Sequence, residues 1–289
     1  MASPFSNRFQ VALLKLLPAR LMGRLIYRLT RIETVWFKNA FISIFSRLYK
    51  VNLSEAEKEV PGGYSSFNEF FTRKLKSGAR SVDSAPDSLI CPADGTIAQV
   101  GHVQNGAMMQ AKGILFSAEK LLGDATTAAQ LKDSAFTTIY LAPYNYHRLH
   151  MPLDGRLIRT IFIPGLLYSV NAATTATVPD LYAVNERLVC IFENDRGLFT
   201  MTLVGAMNVA SISTAWAGEI LPGGDNTPVI TDYSQRAGAP KLNKGDYMGH
   251  FNMGSTVVLI APPGQLTWEP QLGTGDTVSM GQRIGIIKS

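Results

Sequence analysis

From residue 89 onward the chain is cut into short runs rich in β-branched and aromatic residues, each closed by Gly, Pro, Asp or Asn. "TIAQVG", "FTTIYLA", "RLIRTIFI", "RLVCIFEN", "GLFTMTLVGA" and "STVVLIA" follow one another at close spacing. Such runs form strands, because branched side chains pack well on a pleated surface and the turn residues supply the reversals. Helical periodicity is confined to "AEKLLGDATTAAQLKDS", which reads as one helical insertion. Two weak echoes recur: "CPADGTIAQV" with "MPLDGRLIRT", and "LNKGDYMGHF" with "LGTGDTVSMGQRIGII". Asp-Gly marks a tight turn because Gly accepts positive φ. Repeated strand–turn units predict a β-sandwich or barrel-like pair of sheets.

The N-terminal part has a different period. Leu14, Leu17, Leu21, Leu25 and Leu29 recur at spacings of three and four, which predicts a helix over 8–31 with one apolar face. Arg20, Arg24, Arg28 and Arg31 form a second stripe, and Pro18 divides the segment or opens its second helix. "TVWFKNAFISIFSRLYKV" predicts a further helix with Phe37, Phe41, Phe45 and Leu48 in register. "PGGY" at 61–64 marks a break. A short helix is expected after it, with Phe67, Phe70 and Phe71 on one side. The predicted class is therefore α+β: N-terminal amphipathic helices over 1–63, then a β-rich sandwich or barrel-like domain over 64–289.

Charge separates the two parts. Residues 1–50 carry nine Lys or Arg against one acid, Glu33, a balance of +8, and the rest of the chain carries −3. The basic character belongs to the N-terminus, which disfavours a nucleic-acid-binding body and favours a basic attachment device. The longest uncharged run in the second helix is eight residues, Asn39 to Ser46, whereas a spanning helix needs about 20. No signal-peptide pattern is expected, and an Arg-rich transit peptide is disfavoured because the helical pattern runs straight into the next element. An Arg-rich, acid-poor amphipathic helix with Trp and Phe on its apolar side suits the surface of an anionic membrane; packing on the body is the alternative. Two distant cysteines, Cys91 and Cys190, read as buried free thiols.

The candidate chemistry lies in a few places. His147 and His150 have H-x-x-H spacing, but no third ligand is evident, so a metal site is not supported. Asp94 and Asp154 are first of all turn aspartates. Ser255 lacks the G-x-S-x-G frame of a hydrolase elbow. It follows Gly254, whose carbonyl no Cβ shields. A serine hydroxyl can attack the carbonyl of its preceding residue, given a base and donors for the oxyanion, and histidine is the natural base near neutral pH.

Taken in order, "SFNEFFTRKLKSGAR", "CPADGTI", "YHRLHMPLDG" and "MGST" resemble the motifs of the bacterial membrane-associated phosphatidylserine decarboxylases over essentially the whole chain. The family usually has Leu where Met253 stands, an apolar change of similar size. The resemblance implies that the Gly254–Ser255 bond breaks itself, giving a β chain 1–254 and an α chain 255–289 that stay together as a heterodimer and dimerise further. It implies Asp94, His150 and Ser255 as the group for this step, with His150 as base and Asp94 orienting it. Ser255 would become a covalent pyruvoyl group, the only cofactor, with no metal. That group would decarboxylate phosphatidylserine to phosphatidylethanolamine, with His147 positioning substrate or delivering a proton. The implied location is peripheral, on the cytoplasmic face of the bacterial plasma membrane. Two other readings of the bare residues are a membrane-associated serine hydrolase or esterase using Ser255, His150 and Asp94, and a non-catalytic β-domain docked on a membrane.

Overall fold

The segment Thr256–Ile260 reads Thr-Val-Val-Leu-Ile, and all of it is buried. A strand buried on both faces belongs inside a covered sheet. In the computed structural model, which describes residues 19–111, 113–206, 211–220, 227–264 and 266–287, this strand lies between Gly197–Val204 and Ala135–Tyr140. It is antiparallel to both, with Thr256 opposite Val204 on one side and Tyr140 on the other. Around it, nine strands form one sheet in the order Val229–Asp232, Gly155–Ile163, Arg187–Asn194, Gly197–Val204, Thr256–Ile260, Ala135–Tyr140, Gly95–His102, Thr277–Val278, with Lys241–Leu242 also pairing on Gly155–Ile163. The sheet runs edge to edge, so the architecture is one of open sheets within the expected α+β class, and among the described residues no barrel closes.

Three smaller sheets complete the core among the described residues, the smallest being the hairpin Ala107–Ala111 with Ile114–Ser117; the other two are larger. Gly218–Ile220, Ile212–Thr214, Tyr247–Phe251 and Arg148–His150 form one, and Ser88–Ile90, Arg283–Ile287 and Leu266–Trp268 the other. The six strand segments anticipated from sequence all form, with ends shifted by a residue or two. The helical insertion is broken into Ala118–Leu122 and Ala125–Gln130. Gly123 takes the left-handed conformation at φ +64° and caps the first piece, and the Asp124 carboxylate accepts from Thr126 and Thr127 N–H to start the second. Cys91 and Cys190 are buried and free.

The helix expected over 8–31 is described from Ala19 and runs to Thr30; its earlier half lies outside the described residues. The next helix, Val35–Leu48, is apolar on two faces. Phe41 stacks on Phe67 at 4.1 Å between centroids, and Phe45 meets the same ring edge-on at 4.9 Å. Leu48, which the spacing put in register with them, is 71% exposed, as are Val35, Trp36 and Ile44 at 64–74%. No helix among the described residues is long and apolar enough to cross a membrane.

Phe67 sits on the short helix Phe67–Phe71, started by Ser66 accepting from Glu69 N–H while the Glu69 carboxylate reaches back to Ser65 N–H at 2.6 Å. The aromatic cluster around Phe67 fixes the N-terminal helix on the body. Phe67→Ala is expected to cost about 3–5 kcal/mol, seen as a lower urea midpoint. A shift below 1 kcal/mol would mean that the helix is held elsewhere.

Candidate active site

The chain passes from the four-stranded sheet to the centre of the nine-stranded one in four residues, Asn252 to Ser255. At the near end, Phe251 N–H donates to the His147 carbonyl at 3.3 Å; at the far end, the Ser255 carbonyl accepts from Leu141 N–H at 2.9 Å. Both ends are thus held by ladders, and the turn between them takes up the mismatch. Met253 does so with φ +132°, a region that side-chain-bearing residues rarely enter, at a cost of about 1–3 kcal/mol. The unusual backbone lies at Met253, one residue before Gly254.

Ser255 is fully buried, and its Oγ has no hydrogen-bond partner in the protein. An unpaired buried hydroxyl is costly, and several in this core are unpaired, the neighbouring Thr256 Oγ1 among them; what sets Ser255 apart is its place directly after Gly254. His147 is the histidine at this bond. A methyl group on the Gly254 Cα would lie 3.5 Å from His147 Nε2 and 3.5 Å from the Leu141 carbonyl oxygen. His147 Nδ1 lies 2.9 Å from the Asn145 carbonyl, which can only accept, so Nδ1 carries the proton and Nε2 the lone pair. That Nε2 is also buried and unpartnered. Burial, and then the charge of Arg73, push the His147 pKa down to about 3. The ring is therefore neutral at physiological pH. It packs on Phe71 at 4.0 Å, which carries the aromatic column Phe45–Phe67–Phe71 from the helix Val35–Leu48 to the Gly254–Ser255 turn.

His150 faces elsewhere. The backbone between the two histidines is extended, and each ring has its own partners. His150 Nδ1–H donates to the Gly245 carbonyl at 2.8 Å, and the Tyr146 hydroxyl donates to Nε2 at 3.1 Å. Burial lowers its pKa. Asp94 is held by Arg80, whose Nε lies 2.9 Å and Nη2 2.5 Å from its oxygens, and by Met280 N–H at 2.9 Å. Asp94 and His150 are near neighbours, since His150 N–H donates to the Pro92 carbonyl at 2.8 Å. No hydrogen bond joins Asp94 to His150, or His150 to Ser255, among the described residues. Asp154, the echo of Asp94, accepts from Lys244 N–H at 2.6 Å and does turn work. Among the described residues no group of three or more His, Cys, Asp or Glu is placed to hold a metal ion.

A cavity of about 170 Å³ opens on this bond. Met253, Gly254 and Ser255 line it together with Phe71, Tyr140 and Leu141 of the body and Phe45 and Tyr49 from the helix Val35–Leu48 and its end. The helical segment is therefore a wall of the site as well as an attachment.

The sequence model of the phosphatidylserine decarboxylase family matches residues 67–286, which contain Asp94, His147, His150, Gly254 and Ser255. The chain belongs to the phosphatidylserine decarboxylase family. A second family model, described as PSD, matches residues 9–50. The chain is 45% identical to the phosphatidylserine decarboxylase proenzyme of Ectopseudomonas mendocina (strain ymp) over 271 residues, 93% of this chain and 95% of that one. It is 46% identical to that of Pseudomonas putida (strain GB-1), covering 93% and 94%, and 45% identical to that of Stutzerimonas stutzeri (strain A1501), covering 93% and 91%.

Sequence reasoning passed over three residues. Arg80 and Tyr146 lie inside family motifs, yet nothing local says that one clamps Asp94 and the other occupies His150. Asn252 carried no signal beyond its place before Met253.

The histidines make stability fall in acid. His147 and His250 have pKa values pushed down to about 3 and about 4, with burial the main cause, against about 6.5 in the unfolded chain. Both are neutral in either state above that value. Below it the unfolded chain takes up protons that the folded one refuses, so each removes up to about 1.4 kcal/mol per pH unit until its folded pKa is reached. Urea midpoints should therefore drop between about pH 7 and about pH 5, and His147→Gln should flatten the drop. Equal midpoints at both would show that the rings are protonated when folded.

Proposed function

We propose that this chain is a proenzyme that splits itself between Gly254 and Ser255 and then decarboxylates phosphatidylserine to phosphatidylethanolamine. The observation that carries the reading is the buried, unpartnered Ser255 Oγ directly after a glycine carbonyl, at a strained crossover with an unpartnered histidine nitrogen beside it. Ser255 Oγ adds to the Gly254 carbonyl carbon and the C–N bond breaks, which leaves an ester and a free amine on residue 255. Loss of the Ser255 Cα proton expels the Gly254 carboxylate and leaves dehydroalanine. Tautomerisation and hydrolysis release ammonia, and residue 255 becomes a pyruvoyl group. The cavity of about 170 Å³ lined by Gly254 and Ser255 has room for a group of that size. Its ketone supplies the electron sink that a pyridoxal cofactor supplies elsewhere.

The two histidines divide the work. His150 is the base of self-cleavage, with Asp94 stabilising its charged form, as the family motifs imply. In the resting arrangement Tyr146 holds His150 Nε2 and Arg80 holds Asp94, so this role requires the Tyr146 hydroxyl to give way. His147, neutral and open at Nε2 against residues 254–255, holds or moves the proton at the carbon that loses carbon dioxide. Residues 64–289 form the catalytic domain and 1–63 the docking segment. Trp36, Ile44 and Leu48 are exposed on this segment, and so are Arg24, Arg28, Arg47 and Lys50, a composition that suits a peripheral seat on an anionic bilayer. Substrate lipid then reaches the cavity past Phe45 and Tyr49. The cytoplasmic face of the plasma membrane and a further dimer are part of the same proposal.

Denaturing intact-mass spectrometry tests the reading. Wild type should give residues 1–254 and a piece 255–289 lighter than a serine-started peptide by one ammonia, and Ser255→Ala should stay whole. An intact wild-type chain after incubation with anionic vesicles would sink the proposal. His150→Ala should stay unsplit, with a loss of at least about 10²-fold in splitting rate, while His147→Ala should split and lose decarboxylation. The reverse pattern would exchange the two roles.

A further inference from the structure

Asn252 precedes the strained residue and is 2% exposed. Its side chain is bound on every side. Nδ2 lies 2.9 Å from Ser211 Oγ, 3.0 Å from Ser213 Oγ and 3.4 Å from Glu219 Oε1, and Oδ1 accepts from Asn68 Nδ2 at 2.9 Å. Its backbone N–H donates to the Ser211 carbonyl at 3.0 Å. Asn68 belongs to the short helix Phe67–Phe71, and Ser213 to the four-stranded sheet. One amide thus ties the start of the crossover both to the short helix Phe67–Phe71 and to the sheet that the chain is leaving. Glu219, at the outer end of this network, is bound by Ser211 Oγ, by Arg31 at 2.5 Å and by Tyr27 Oη at 3.3 Å. Arg31 in turn lies over the Tyr27 ring at 3.6 Å.

We infer that Asn252 is a positioning residue for self-cleavage. Its four-way clamp holds Met253 at positive φ and so keeps the Gly254 carbonyl turned toward Ser255, and Glu219 extends the clamp to Tyr27 and Arg31 at the end of the helix Ala19–Thr30. The physical reason is that a strained backbone persists only where its surroundings over-determine it. The ladder at Ser255 fixes the far side of Met253, and on the near side the Asn252 amide is the group with enough bonds to resist relaxation. Without it, Met253 falls back to negative φ and the carbonyl rotates. The inference rests on the self-cleavage reading above and adds a residue that the family motifs of the sequence do not include.

The experiment follows splitting of newly synthesised full-length chain by intact mass over time, in the presence of anionic phospholipid vesicles. Asn252→Ala should split about ten- to hundredfold more slowly than wild type, the factor that corresponds to the strain it holds. Because loss of a buried amide can also disturb folding, the deciding variant is the double substitution Asn252→Ala with Met253→Gly. Glycine reaches φ +132° without strain, so the double variant should recover at least about tenfold of the lost rate. A merely structural defect would not be repaired by a glycine. Glu219→Gln, at a partly exposed position, should fold normally and split about three- to tenfold more slowly, the factor one weakened hydrogen bond gives. Splitting of Asn252→Ala within twofold of wild type overturns the inference and leaves the self-cleavage reading standing. So does a slow Asn252→Ala that Met253→Gly fails to rescue. A wild-type chain that never splits removes both.

Discussion

The strand Thr256–Ile260 is paired along its whole length on both sides, and the placement of the site follows from that. A strand with two full ladders cannot slide, because a one-residue slip would turn its entire side-chain set to the opposite face. Ser255, the residue that enters it, is therefore fixed to within the tolerance of a β-ladder. The neighbouring sheet fixes Phe251 just as firmly. Everything between them must adapt, which is why the irregular backbone is concentrated in a few residues. Rigid strands set a geometry that the turn alone would not choose.

Around that point the polar groups are sorted by what they are allowed to meet. Asp94 is bound by Arg80 and Met280, His150 by Tyr146 and Gly245, and Asn252 by Asn68, Ser211 and Ser213. Ser255 Oγ and His147 Nε2 are left free. Folding normally pairs buried polar atoms, and here two unpaired ones meet at the Gly254–Ser255 turn, with the unpaired Thr256 Oγ1 next along the strand. The aromatic column from Phe45 to His147 makes this site continuous with the helix that carries the exposed apolar and basic residues. Seating of that helix and the shape of the cavity are then one mechanical question.

Much of this was legible in the residues. Strand runs such as "RLVCIFEN" declare themselves because branched residues and turn residues alternate at short range. Motif order pointed to Gly254 and Ser255, and the basic N-terminus to a surface. What was not legible depends on sequence-distant neighbours. Leu48 fits the spacing of Phe41 and Phe45, yet it faces solvent because the partner surface, Phe67 and Phe71, is too narrow to cover a whole stripe. The single helix expected over residues 118–134 breaks because Gly123 and Asp124 are better caps than helix interiors. The hydrogen-bond partners of Asp94 and His150 come from Arg80, Tyr146, Met280 and Gly245, up to 186 residues away, and no local pattern encodes such pairings. Strain at Met253 is likewise a property of two sheets meeting.

The crossover has a consequence for assembly. Residues 255–289 contribute the central strand and also Leu266–Trp268, Thr277–Val278 and Arg283–Ile287, so this short piece is threaded through two of the sheets. A break before Ser255 would not release it, because its ladders remain. Yet the broken molecule could not be expected to reassemble from separated pieces. The long piece would have to hold open a gap between Gly197–Val204 and Ala135–Tyr140, two strands that have no ladder with each other, while a second molecule found it. A search within one chain becomes a search between two, without the effective concentration that the link supplied. The intact chain is then a template used once: the cut molecule keeps a shape whose route of formation it has erased.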